Sequence, residues 1–195
     1  MDASSKPRCV SILVGDLRGC TFEASHPSRR EVFARLCHFA DQLTSAVQQR
    51  GGEICELHDH GVVAVFGGRT RLPEMERTAV EAARAICDAA RSLPRAGPSA
   101  GATGVSMGVA VATGEATVGG VRAGGRIYWS AVGCASDRAL RLHELARRHG
   151  AALAVDSRTY QAARLAERDP ARAAWIAEPG GSGSPDAYWL PWSGS

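Results

Sequence analysis

No window of the 195-residue chain approaches the roughly 20 consecutive apolar residues that a membrane-spanning helix needs. The opening MDASSKPRCVSILVGD has no apolar stretch long enough for a secretory leader, and core-like sequence begins almost at once. Both absences predict a cytoplasmic protein without membrane association. No Cys-x-x-Cys pair occurs among Cys9, Cys20, Cys37, Cys55, Cys87 and Cys134, so a zinc cluster has no support. Their wide spacing inside mostly apolar segments predicts reduced core thiols instead. The patterns GxxxxGK[ST], HExxH and GxGxxG are all missing, which removes three familiar site classes. Charge of one sign is scarce as well. Lys+Arg number 23 against 20 Asp+Glu, a net charge of +3 spread as single arginines and pairs. A dedicated nucleic-acid binder should show a basic stripe, so no nucleic-acid partner is expected. Lysine itself is nearly absent, with none after Lys6.

The residues present suit a globular chain, at 45% hydrophobic and 22% charged. CVSILV, ending at Gly15-Asp16, reads as a buried central strand that delivers Asp16 at its C-terminal end. A helix capped near Ser28 should run to about Arg50. Phe33, Leu36, Cys37, Ala40, Leu43, Ala46 and Val47 fall on one face of it. EICELHDHGVVAVFGG reads as strand, tight turn, strand, with HDHG at the bend. A second helix is expected from about Pro73 to Leu93. VSMGVAVATGEATVGGV should then form two strands broken at Thr113-Gly114. A strand from Ile127 to Ala131 precedes a long amphipathic helix, about Gly133 to Arg148. His38, His143 and His149 lie on helices and read as packing or surface histidines rather than ligands. AALAV is a buried strand, SRTYQAARLA a short helix, and the tail carries Trp175, Trp189 and Trp192 as core anchors or interface residues. The order β-α-β-β-α-β-β, then β-α-β, predicts an α/β (α+β) fold of split βαβ type with helices over one sheet face. A partner subunit is one way to cover the other.

Several separated segments resemble one family, the class III nucleotidyl cyclases. GDLRGCTF is similar to their opening metal motif, and RGGEICELHDHGVVAVFGG to the hairpin with their second metal carboxylate. VSMGVAVATGEATVGGV resembles their central hairpin. SAVGCASDRALRL resembles their helix bearing an Asn and an Arg one turn apart. All four occur in order, with Asp16 forty-four residues before His60. The resemblance covers about residues 8–160, with 161–195 a weaker match, and implies one catalytic-type domain over residues 1–195. It implies a homodimer with composite sites. One subunit supplies two metal-binding carboxylates and a base-reading residue; the other supplies a second base-reading residue, the Asn, the Arg and a late Lys. Two divalent cations, Mg²⁺ or Mn²⁺, would act on a nucleoside triphosphate to give a cyclic nucleotide and pyrophosphate.

Carried onto this chain, Asp16 is the first metal carboxylate, a hard oxygen ligand at a strand exit. The amides of the following Gly19, Cys20 and Thr21 are placed to lie against a phosphate. His60 falls where the second carboxylate belongs; imidazole suits Mn²⁺ better than Mg²⁺, and the adjacent Asp59 is the alternative ligand. Glu56 and Ser130 match the base-reading positions. A carboxylate at 56 accepts from guanine N–H groups, whereas adenine offers an acceptor at N1, so GTP or a pyrimidine triphosphate is favoured over ATP. Arg141 matches the arginine that steadies the triphosphate. Asp137, one turn earlier, replaces the Asn and either serves the site or pairs with Arg141. No late lysine exists; Arg172 or Arg168 is the substitute within reach. Two functions therefore stand: a divergent cyclase, or a catalytically inactive cyclase-fold module that binds a nucleotide or a protein. No sensor domain is evident in these residues, so regulation is expected from expression, nucleotide supply or an untethered partner.

Overall fold

The apolar run beginning at Cys9 forms the middle of the sheet. In the computed structural model, which describes residues 7–18, 28–58, 60–91, 106–168, 174–175 and 187–190, β1 (Arg8–Arg18) lies between two antiparallel neighbours. These are β3 (Gly61–Phe66) and β4 (Ser106–Ala123). Outside β3 comes β2 (Glu53–Leu57). On the other side β6 (Leu153–Asp156) runs parallel to β4, followed by β8 (Ala187–Leu190) and β7 (Ala174–Trp175). The order of elements follows the expected one except that two strands, not three, stand between the second and third helices.

Successive residues of a strand face opposite sides, so β1 feeds two cores. Leu13 and Leu17 pack with Phe39, Leu43 and Val47 of α1 (Arg29–Gln48) and with Val80, Ala83 and Ile86 of α2 (Met75–Arg91). Val10, Ile12 and Val14 face the other way, onto Ala135 and Ala139 of α3 (Cys134–Arg148). The second sheet face is thus covered in good part by α3 itself, a correction to the expectation that helices lie on one face only. Short alanine side chains let this helix approach the strands closely. The short helices α4 (Ser157–Ala162) and α5 (Leu165–Arg168) return to the first core through Tyr160, Ala163 and Leu165.

Three local expectations change. The described buried stripe of α1 is Phe39, Leu43, Ala46 and Val47, whereas Phe33 is 68% exposed and Cys37 is exposed as well. β4 is one strand of 18 residues rather than two. Thr113, the expected break, is held in place because its hydroxyl meets those of Ser11 and Thr159 at 2.8 Å each. The hairpin turn instead falls at Gly124-Gly125, both with positive φ (+55° and +76°), the geometry a two-residue turn requires. It leads into β5 (Arg126–Val132), which pairs with the outer half of β4. The five described cysteines are free thiols, but only Cys87 is buried and Cys37 and Cys134 are exposed, so most are not core residues. Burial pushes the Cys87 thiol up to about 12. Trp189 is half-buried with its ring centroid 5.9 Å from that of His149. No described helix is long and apolar enough to cross a membrane.

Candidate functional site

Asp16 occupies the end of β1 on the α3 side, in phase with Val10, Ile12 and Val14. Its partner across β3 is Gly61, not His60. A Cβ on Gly61 would sit 2.7 Å from the Gly15 carbonyl oxygen, so only glycine fits against the β1 backbone beside Asp16. The ladder continues one step beyond the strand, where Leu17 N–H donates to His60 O at 2.7 Å. His60 is exposed at this bend, and Asp59 lies outside the described residues.

Two cationic or donor groups converge on Asp16. His143 of α3 bonds through Nε2 to Asp16 Oδ1 at 2.9 Å, with the two side chains 13% and 29% exposed. Because a carboxylate only accepts, the imidazole N–H is the donor. Arg18 Nε stands 3.8 Å from the same oxygen. The Arg18 guanidinium lies across Gly108 of β4, where a Cβ would collide with it. Its Nη1 donates to Ala151 O at 2.8 Å and Ala146 O at 3.4 Å, at the C-terminal end of α3. Burial lowers the Arg18 pKa from its ordinary value, with the charge of Asp16 opposing that shift. His143 was expected to be a packing or surface residue; it is instead the closest partner of the candidate metal carboxylate. The signal was present in helix periodicity, since His143 stands four residues after buried Ala139 and three before buried Ala146.

Glu56 reaches this side of the sheet through an irregularity. The register of β2 shifts between Ile54 and Glu56, so Ile54 faces Ala64 while Glu56 faces Val63. Val63 is in phase with Asp16. The extra residue, Cys55, therefore turns Glu56 onto the Asp16 face, the usual effect of a β-bulge. Glu56 is exposed and accepts from His58 Nε2 at 3.2 Å. β5 lies against β2 within the same chain. Trp129 of β5 turns inward beneath Arg69, 4.4 Å from guanidinium carbon to ring centroid, and Arg69 N–H donates to Glu53 of β2 at 2.9 Å. Ser130 alternates to the other side of the β4–β5 ribbon and is half-exposed.

Asp137 and Arg141 stand on the outer face of α3, both exposed. No side-chain hydrogen bond or ion pair among the described residues engages either one, so the intrahelical Asp137–Arg141 pair is not formed. Between them Leu140 is 53% exposed, and Val132, Val121, Ile127 and Tyr128 on β4 and β5 are 52–70% exposed. Gly19, Cys20, Thr21 and Arg172 lie outside the described residues, as does the side chain of Arg168.

Among the described residues no three His, Cys, Asp or Glu side chains gather as metal ligands. Both described contacts of Asp16 fall on Oδ1. The donor chemistry is one carboxylate oxygen with an imidazole at the facing bend. That set fits a single ion able to take nitrogen as well as oxygen, Mn²⁺ before Mg²⁺.

Comparison with solved structures identifies the fold as that of adenylyl and guanylyl cyclase catalytic domains. The guanylyl cyclase Cya2 superposes with a TM-score of 0.70 at 23% identity, covering 95% of this chain and 92% of that one. The guanylate cyclase domain of RhGC from Catenaria anguillulae in complex with GTP gives 0.74 at 18%, over 96% and 98%. The adenylyl cyclase CyaB from P. aeruginosa gives 0.70 at 16%, over 94% and 93%. In sequence, the chain is 32% identical over 162 residues to the uncharacterized protein Rv1319c of Mycobacterium tuberculosis, and 29% over 157 to Rv1320c. Those stretches are 83% and 80% of this chain but 29% and 26% of the relatives, so it spans less than a third of their length. No family model matches the chain.

Proposed function

We propose, with the cyclase-domain fold as premise, that the chain works as a homodimer converting a nucleoside triphosphate to a 3′,5′-cyclic nucleotide and pyrophosphate. The observation that carries this reading is the division of α3. Its inner face meets Asp16 through His143, while its outer face offers an unpaired Arg141 beside an exposed apolar strip. A cation left open next to a surface suited to association is placed to serve a nucleotide held by a second copy.

In this reading Asp16 holds a divalent ion together with His60 or Asp59, and the amides of Gly19, Cys20 and Thr21 lie against the phosphates. Bound there, the ion would polarise the α-phosphate and the attacking 3′-hydroxyl. Arg141 of the second copy steadies charge on the triphosphate as pyrophosphate departs. Asp137, an acceptor one turn away, receives a hydrogen bond from the sugar or from a water rather than donating one. Glu56, turned to this face by the bulge, accepts from a base N–H. That favours guanine or uracil, which carry a ring N–H, over adenine. Ser130 serves either base through its rotatable hydroxyl.

A second reading is a catalytically silent cyclase-fold module. It is favoured by Asp16 already engaging His143, with no second carboxylate beside it among the described residues.

The deciding experiment is product formation from ATP, GTP, CTP and UTP in Mg²⁺ and in Mn²⁺, with Asp16→Ala as control. A cyclic product that disappears in the control is expected, stronger in Mn²⁺. No product from any triphosphate, from a folded dimer, would leave the silent module standing.

A further inference from the structure

Two side chains staple the end of β1 to the C-terminal half of α3. His143 and Asp16 are 127 residues apart in sequence and 2.9 Å apart in space. Arg18 approaches the same carboxylate oxygen and bonds the carbonyls of Ala146 and Ala151. His143 is 13% exposed and sits on the helix face of buried Ala139 and Ala146, so its ring is confined by packing as well as by the bond. On the facing strand, Gly61 places no side chain against Asp16. The carboxylate is therefore held at one oxygen and unobstructed by the residue across from it.

We propose that His143 is a positioning residue for Asp16. By donating to Oδ1 it fixes the carboxylate so that Oδ2 is presented to a divalent ion, and it fastens to that ion's ligand the helix carrying Arg141. The proposal rests on the reading that Asp16 holds an ion. Partners that orient a ligating group in this way are typically worth ten- to a hundredfold in metal affinity. A histidine that merely packed would be worth stability and nothing in affinity.

The test is Mn²⁺ binding to the full chain without nucleotide, followed by the electron paramagnetic resonance of free Mn²⁺. Wild type is compared with Asp16→Asn, His143→Leu and His143→Gln, with thermal melting to show that each is folded. Asp16→Asn should abolish the binding. His143→Leu should weaken it about tenfold, and His143→Gln, whose amide can donate from near the Nε2 position, should recover most of the loss. Equal affinity in wild type and the leucine variant would overturn the proposal. Tighter binding in that variant would also overturn it, making His143 a competitor of the ion. If wild type shows no Asp16-dependent binding at all, the metal reading itself falls and takes the proposal with it, an outcome distinct from the other two.

Discussion

Asp156 ends β6 and caps α4, accepting from Thr159 N at 2.9 Å and from Thr113 N at 3.3 Å through Oδ1. It is 1% exposed, and Oδ2 is buried without a hydrogen-bond partner. Burial raises its pKa above the ordinary carboxylate value, and its hydrogen bonds only partly oppose that. The folded chain thus holds this proton more tightly than the unfolded one. Stability should fall as pH rises from the unfolded carboxylate range through the raised folded value, then level off. Asp156→Asn keeps an acceptor for the two amides and removes the buried charge. It should be at least as stable at neutral pH and should lose that part of the pH dependence. Asp156→Ala, by contrast, should cost about 1–2 kcal/mol through the lost cap. Denaturant titrations between acid and neutral pH measure both; an unchanged slope in the asparagine variant would show that the buried charge is not what responds. Asp16 is the contrasting case, half-exposed and held by groups from two elements, so its environment suits a ligand where that of Asp156 suits a cap.

The hairpin of β2 and β3 sets the site by two departures from regular pairing, the bulge at Cys55 and the close approach at Gly61. Gly61→Ala would drive a methyl into the Gly15 backbone, so β3 must shift away from β1. A loss of about 1–3 kcal/mol is expected, together with weaker Mn²⁺ binding. Gly119→Ala, with nothing within 4 Å of its added methyl, is the control and should change melting little. Equal melting of the two variants would remove Gly61 from the argument. These elements also show what can be read from sequence and what cannot. CVSILVGD announces a central strand delivering Asp16, and Ser28 announces the start of α1, because apolar runs and caps are local signals. The true turn at Gly124-Gly125 competes with Thr113-Gly114, which carries the same composition but is tied into the sheet by Ser11 and Thr159. The bulge that turns Glu56 has no local signature. His143 could be placed on the inner helix face by periodicity, but its meeting with Asp16 depends on how α3 crosses β1, which only tertiary packing decides.

The proposed dimer makes the strongest demand on the whole molecule, since Asp16 and Arg141 of one chain would then belong to different sites. The exposed strip of Val121, Ile127, Tyr128, Val132 and Leu140 is the surface this proposal assigns to the interface. Leu140→Asp should shift the chain to monomer in gel filtration and abolish product, because a buried charge at the interface has no partner to compensate it. The sharper prediction uses two inactive variants. Asp16→Ala and Arg141→Ala homodimers each lose both sites. A heterodimer of the two collects both lesions in one site and leaves the other intact. Random mixing makes half of all dimers heterodimers with one working site of two, so refolding the variants together should restore about a quarter of wild-type activity. If Arg141 served Asp16 of its own chain, every site in the mixture would carry one lesion and no activity would return. Recovery near a quarter would therefore establish the shared site without reference to any particular base or ion.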